Sequence, residues 1–391
     1  MRHAFVVPLI GGQAIAQAMA LDSKPDFIQS YSDFAANDAH LRAWWPDVPF
    51  VVLDVDAPMR YVGNLDVVGS TCPCAGLSTL STTSGASSAV NDWMLLAAEH
   101  VLRELKPRVY WGENAPNLSS QMGWPIAAQL CALGREFNYS FSMYKTKSEL
   151  HGLPQIRQRT FYFFWRDRAP NEVPVLPWVE RRVSIEDWFK TKRPADSTSN
   201  IFIRSKKPSE FPIYRFLLER DNVDHATFVS RLKRTTPVPY YLLKHKLFNE
   251  LIGWLNARGF KKEEEQASNW RDRYYRQSAP WERYLILPRK VIGAYVSHYL
   301  YDLVHSFEDR FLNVREMLNM MGLPKDFTLL EPKKNIWHIT QNVPVQTAFD
   351  AAMFIKQYLN DELEITSYRD KDAWLVFDNV RHGVYSWPTR K

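Results

Sequence analysis

The chain has 391 residues, 46% hydrophobic and 24% charged, with 49 Lys+Arg against 43 Asp+Glu and a net charge of +6. That size and apolar content argue against a disordered chain and allow a core divided between two domains. Three cysteines, Cys72, Cys74 and Cys131, are too few for a disulfide framework, and no second Cys/His cluster completes a zinc site, so no metal is expected. No apolar run approaches the roughly 20 residues of a membrane helix, and Ala4 to Ile10 is too short for a signal segment. A soluble, cytoplasmic protein with no membrane partner is the expectation.

The first ~165 residues alternate short apolar runs with helix-like stretches, the pattern of a doubly wound α/β sheet. Phe5 to Ile10 reads as a strand, followed by Gly11-Gly12 and a helix through Ala20. Phe27 to Tyr31 and Phe50 to Val55 are the next strands. Leu65 to Gly69 runs into the Cys72-Pro73-Cys74 turn, and the Ser/Thr-rich stretch from Leu77 to Val90 predicts a surface loop. Asn91 is placed to cap a helix over Asp92 to Leu105, stopped by Lys106-Pro107. Val109 to Trp111 is a strand delivering Gly112-Glu113-Asn114 at its carboxyl end, and Phe161 to Trp165 is a buried strand directly after Gln155-Ile156-Arg157-Gln158-Arg159. Past Arg168 the texture becomes proline-rich. Regular α/β patterning returns near Glu308, with helices over Val314 to Met321 and Thr347 to Leu359. These shifts divide the chain into residues 1–172, 173–307 and 308–391.

Charge is segregated as well. From Arg181 to Leu300 there are 24 Lys+Arg against 13 Asp+Glu, leaving 25 against 30 elsewhere. In this block the basic residues alternate with Trp188, Phe202, Tyr214, Tyr240, Tyr241, Trp254, Trp270, Tyr274, Tyr275 and Trp281. Lys and Arg release phosphate counterions and aromatics stack on bases, so the block reads as a polyanion-binding surface. A solvated basic face over an aromatic core is the competing reading.

Open α/β sheets bind ligands at the carboxyl ends of their strands, and Cys74, Glu113 and the Arg157/Arg159 pair fall at such ends. A thiolate attacks an electron-poor pyrimidine carbon, a carboxylic acid donates to a ring nitrogen, and an arginine polarises a carbonyl. Singly, each residue has an ordinary structural explanation: a small buried hydrophobe, a cap, an exposed strand face. Together and in order, they resemble the DNA cytosine-5 methyltransferase family. Ser70-Thr71-Cys72-Pro73-Cys74-Ala75-Gly76-Leu77-Ser78 is similar to its Gly-Gly-Pro-Pro-Cys-Gln-Gly-Phe-Ser motif, and Glu113-Asn114-Ala115 to its Glu-Asn-Val. Gly152-Leu153-Pro154-Gln155-Ile156-Arg157-Gln158-Arg159 resembles Gly-Val-Pro-Gln-x-Arg-x-Arg. Arg310 to Glu316, Met321 to Phe327 and Ile339-Thr340-Gln341-Asn342-Val343-Pro344 are similar to the closing segments.

The resemblance implies an S-adenosylmethionine-dependent, Rossmann-like domain with a separate target-recognition domain over residues 173–307. It implies that Cys74 attacks carbon 6 of a flipped cytosine, that Glu113 contacts ring nitrogen 3, and that Arg159 with Arg157 holds carbonyl oxygen 2. Ser78, Asn114 and Gln155 would contact substrate. Ile10, Gly11, Gly12, Tyr31, Asp54, Gln341, Asn342 and Val343 would form the S-adenosyl-L-methionine site, with Tyr31 stacking on adenine and the Leu77–Val90 loop closing over double-stranded DNA. A monomer in a prokaryotic or phage setting, associated with the nucleoid and with a cognate restriction nuclease as candidate companion, completes the expectation. The cofactor motifs depart most: Leu9 stands where the family has glycine, and Ser30 where it has the ribose-binding Glu, leaving Asp33 as a substitute. A divergent ordinary site is favoured over one adapted to a cofactor analogue or one degraded in a non-catalytic DNA-binding relative. The same chemistry on RNA, and a thymidylate-synthase-like enzyme acting on nucleotides, compete with the DNA reading.

Overall fold

The computed structural model describes residues 1–54, 63–78, 85, 87–166, 169, 171–191, 201–276, 284–295, 297–368 and 373–387. Nine strands form the central sheet: β1 (His3–Val6), β2 (Phe27–Tyr31), β3 (Phe50–Leu53), β4 (Val67–Thr71), β5 (Val109–Asn114), β6 (Ser140–Lys147), β7 (Gln158–Trp165), β8 (Trp374–Asp378) and β9 (Gly383–Trp387). Their order is β9-β8-β6-β7-β5-β4-β1-β2-β3. From β5 to β3 every pairing is parallel, whereas β7 lies antiparallel between β5 and β6. The reversed β7 brings the start of one strand beside the carboxyl end of another. Asn114 at the end of β5 therefore faces Thr160 near the start of β7.

Both faces of this sheet are covered, which explains the near-continuous apolar runs of its strands. Along β7, Phe161, Phe163 and Trp165 enter one core, while Tyr162 and Phe164 enter the other, following the two-residue period of a strand. The first core is roofed by α1 (Gly12–Leu21) and the C-terminal helix Val345–Leu359, which pack on each other. The second lies under Asp92–His100 and Trp124–Glu136. Strand β1 is shorter than the apolar run Phe5 to Ile10 predicts, because Val7 and Leu9 turn to φ +50° and +52° and start a loop. Asn91 does not cap the following helix; its side chain donates instead to the Gly85 carbonyl at 3.0 Å. That helix is α-helical through His100 and finishes in a π-turn over Val101–Leu105.

The central block is a mainly helical module with a third core, running from Ile213 to Phe311 and built by helices Pro212–Asp221, His225–Ser230, Val238–Lys244, Phe248–Ala257 and Lys261–Tyr275. Residues on either side of it belong to the sheet core: Val173, Leu176, Ile185, Trp188 and Phe189 before it, Tyr295 and Leu300 after the 210–287 helices. The expectation that the block's aromatics form a stacking surface is corrected in part. Tyr214 and Trp270 are buried in the third core and Trp188 in the first, whereas Phe202 and Tyr275 are exposed. Trp254 is half-buried, with Arg258 4.1 Å above its ring. The alternation of basic and aromatic residues here is mostly that of amphipathic helices burying one side. Trp281 and half of the Ser/Thr-rich stretch, residues 79–84 and 86, lie outside the described residues. Among the described residues no helix is long and apolar enough to cross a membrane.

Candidate active site

Three chain segments converge at the carboxyl edge of the sheet. Cys74 follows β4 and starts the short turn Ala75–Leu77, Glu113 ends β5, and Arg157 and Arg159 flank the start of β7. All four line one cavity of about 670 Å³, together with Ser78, Tyr295, Thr340 and Gln341. Glu113 forms an ion pair with the Arg159 Nε, and Arg159 also donates to the Gln158 carbonyl at 2.7 Å. Burial pushes the Glu113 carboxyl above the ordinary carboxylate range, with Arg159 and Arg157 opposing the shift. A carboxyl so placed can hold a proton and give it to a ring nitrogen.

The two cysteines of the turn have different surroundings. Cys72 is 2% exposed, and its Sγ lies 3.5 Å from the Trp93 carbonyl. Burial pushes its thiol up to about 12, which keeps it neutral and inert. Cys74 is half-buried at the cavity wall. Burial, and after it Arg159, push the Arg157 guanidinium below its ordinary value, against the opposing pull of nearby Cys74 and Glu113.

Arg157 also has a structural role. Its Nη1 donates to the Tyr295 carbonyl at 2.6 Å and its Nη2 to the Thr340 carbonyl at 2.7 Å. It ties the end of the central block and the closing motif to the cavity wall, while its Nε makes no hydrogen bond. Two of the expected substrate contacts lie elsewhere. Gln155 is buried and donates to the Met320 carbonyl at 2.7 Å. Asn114 is buried, accepts from the Ala115 amide at 2.8 Å, and donates to Pro73 O at 3.4 Å, bracing the loop before Cys74.

The expected cofactor residues surround the loop after β1. Leu9 takes the left-handed conformation at φ +52°, so the path that glycine favours persists at the price of strain. The Gly12 amide donates to Asn342 Oδ1 at 2.8 Å, and a Cβ on Gly12 would overlap the Asn342 side chain and the Val343 carbonyl. Gln341 lines the cavity and accepts from Asn37 at 2.6 Å. Ile10 is buried in the first core and Asp54 is exposed at the end of β3; neither lines the cavity. Tyr31 is packed against Trp93 with centroids 5.1 Å apart, so that ring face is already covered. Phe34, three residues on, meets the same Trp93 edge-on at 4.9 Å but also lines the cavity beside Leu9, a placement that sequence reasoning missed. Asp33 is exposed, and the buried carboxylate is Asp38, 1% exposed.

Around this loop several buried polar atoms make no hydrogen bond of normal geometry: both carboxylate oxygens of Asp38, which the Ser30 hydroxyl and the Leu9 amide nonetheless approach, Ser30 Oγ, Gln13 Nε2 and Asn342 Nδ2. Such atoms are costly unless a ligand or water meets them. Their mix of donors and acceptors fits a molecule carrying a ribose and an amino-acid group.

A largely parallel sheet with one antiparallel strand inserted and another at its edge, and a half-buried thiol and a glycine loop at its carboxyl edge, is the architecture of a Rossmann-like methyltransferase. The family model for C-5 cytosine-specific DNA methylase matches residues 52–357, and the chain belongs to that family. Its fold is similar to that of a putative DNA modification methyltransferase encoded within an E. coli prophage, with TM-score 0.56 and 16% identity over 92% of this chain and 99% of that one. It is also similar to the Entamoeba histolytica methyltransferase EhMeth, with TM-score 0.54 and 11% identity over 92% and 98%. No curated protein matches the chain by sequence.

Proposed function

We propose that this protein methylates carbon 5 of cytosine in double-stranded DNA, with Cys74 as the covalent nucleophile and S-adenosylmethionine as methyl donor. The convergence of Cys74, Glu113 and Arg159 on one cavity carries the reading. With a cytosine extruded into the cavity, the Cys74 thiolate forms a bond to carbon 6. Glu113 gives its proton to ring nitrogen 3, and Arg159 stabilises charge on oxygen 2. The electron pair pushed onto carbon 5 makes it the nucleophile for methylation. S-adenosylmethionine, when bound, supplies the electrophilic methyl group. Loss of the carbon 5 proton to a base then expels Cys74 as thiolate, and ring nitrogen 3 returns its proton to Glu113, which restores the neutral aromatic ring.

The residues that would hold the cofactor are Gly11 and Gly12 with Asn342 and Val343 at the loop, Phe34 at the adenine end, and Asp38 with Ser30 for the ribose hydroxyls. Ser78 and Gln341, on the cavity wall, would meet the base or its sugar.

The test is a duplex containing 5-fluorocytosine, whose carbon 5 fluorine cannot leave as a proton. Incubation with S-adenosylmethionine should trap a covalent complex that survives denaturation, persists in Cys72→Ala and disappears in Cys74→Ala. A complex that persists in Cys74→Ala refutes the assignment of the nucleophile. Trapping on structured RNA but not on any duplex refutes DNA as substrate.

A further inference from the structure

A second concavity lies in the helical module, away from the cavity of Cys74. The turn after helix His225–Ser230 carries Arg231, Lys233 and Arg234, and helix Val238–Lys244 ends on Lys244. Between them is a cleft of about 320 Å³, walled by these four residues with Tyr240 and Tyr241. All four cations are exposed. One carboxylate borders the cleft, Asp221, and it is paired with Arg220 at 2.7 Å. Arg234 donates to the Tyr240 hydroxyl at 2.7 Å, its guanidinium 5.3 Å from that ring's centroid, so its direction is set before anything binds. Like charges gathered in a concavity repel one another and concentrate positive potential there, which is the arrangement that attracts a polyanion.

The cleft is joined to the catalytic cavity by a short stretch of chain. The Thr235 hydroxyl, next to Arg234, donates to the Val291 carbonyl at 2.6 Å. Ile292 and Gly293 pair with Gln155 and Ile156, and Ala294 and Tyr295 line the catalytic cavity. Only the five residues Val291 to Tyr295, with the strand Ile292–Gly293 among them, separate the Thr235 contact from the catalytic cavity.

We propose that the Arg231/Lys233/Arg234/Lys244 cleft grips the phosphate backbone of duplex DNA flanking the flipped cytosine. The inference rests on the reading of this protein as a DNA methyltransferase and adds where the duplex lies. Phosphate contacts fix register without reading sequence, so the cleft sets affinity and salt dependence while recognition of the site belongs to other side chains.

The test is fluorescence anisotropy of a labelled 24-base-pair duplex titrated with the full chain across sodium chloride concentrations. The cleft variant is Arg231→Gln/Lys233→Gln/Lys244→Gln. A charge-matched control is Lys261→Gln/Lys262→Gln/Lys333→Gln, three exposed lysines outside the cleft. Each phosphate contact contributes about 0.9 to the slope of log K against log salt, so the cleft variant should lose up to about 2.7 of slope and bind more than tenfold more weakly near 0.1 M salt. The control should keep the wild-type slope. Circular dichroism and the thermal midpoint show that both variants fold. A cleft variant whose slope equals that of wild type or the control overturns the proposal, as does one that weakens a structured RNA but not the duplex. Failure of the underlying reading looks different: the fluorocytosine duplex is then never trapped by wild-type protein, whatever the cleft variant does to binding.

Discussion

Asp38→Asn should stabilise the protein, and by more at high pH than at low. Asp38 is 1% exposed, and burial pushes its carboxyl up to about 7. The Ser30 hydroxyl, the Leu9 amide and the Arg42 charge favour the ionised form but do not prevail, and neither oxygen makes a hydrogen bond of normal geometry. His40, two residues on, is held down to about 4 by burial and by His338 and brings no charge at neutral pH. In the unfolded chain the Asp38 carboxyl loses its proton near pH 4. Between about pH 4 and pH 7 the folded state therefore holds the extra proton, and this group's contribution to stability falls as pH rises, levelling off above pH 7. A rise of about three pH units corresponds to roughly 4 kcal/mol of destabilisation at pH 8 and about 1.5 kcal/mol at pH 5. Asparagine keeps the shape and removes the ionisation, so the gain over wild type should grow by about 2.5 kcal/mol between those pH values. Urea denaturation of both proteins at pH 5 and pH 8 measures it. A gain independent of pH, or a loss at pH 8, would refute the reasoning, because it would mean that ionised Asp38 is well partnered in the folded protein. Hydroxyls donated by a bound ribose would stabilise the ionised form, so wild type but not the variant should release protons on binding cofactor near pH 7, seen by calorimetry in two buffers.

Gly12→Ala should cost several kcal/mol in a urea melt and abolish cofactor binding, since the added carbon overlaps Asn342 and the Val343 carbonyl; a variant with wild-type stability would show that the loop is not held there. Arg157→Lys cannot span the Tyr295 and Thr340 carbonyls and should lose roughly 2–3 kcal/mol; a change below about 0.5 kcal/mol contradicts a bracing role. Iodoacetamide on native protein should modify Cys74 while Cys72 and Cys131, both 2% exposed, react after unfolding. Peptide mass spectrometry reads this, and equal rates for Cys72 and Cys74 would count against the assignment of the nucleophile.

The sheet strands Phe27–Tyr31 and Val109–Asn114 and the helix Val345–Leu359 were largely visible in the sequence, because a buried strand and an amphipathic helix leave periodic apolar patterns. Strand Ser140–Lys147 and the pair Trp374–Asp378 and Gly383–Trp387 were not, since polar residues interrupt the apolar runs of the first and last, the middle one is only four apolar residues before Asp378, and their partners lie far along the chain. Cys74, Glu113 and Arg159 were legible as a set because their chemistry needs those residue types at strand ends. Which residues stand beside them was not. Gln155 and Tyr31 read as ligand contacts, yet one donates to Met320 and the other packs on Trp93. Phe34 and Asp38 carry no local pattern that marks them.

Local chemistry written in the sequence determined the family and marked Cys74 and the glycine loop as candidates, because those depend on residue type and spacing over a few positions. Tertiary structure alone decided that Arg157 braces two distant carbonyls while Arg159 pairs with Glu113, that Cys72 is buried while Cys74 lines the cavity, and that four cations gather around one cleft. Each of these turns on burial and on partners up to 183 residues apart, and solvation and long-range contact exist only once the chain has folded.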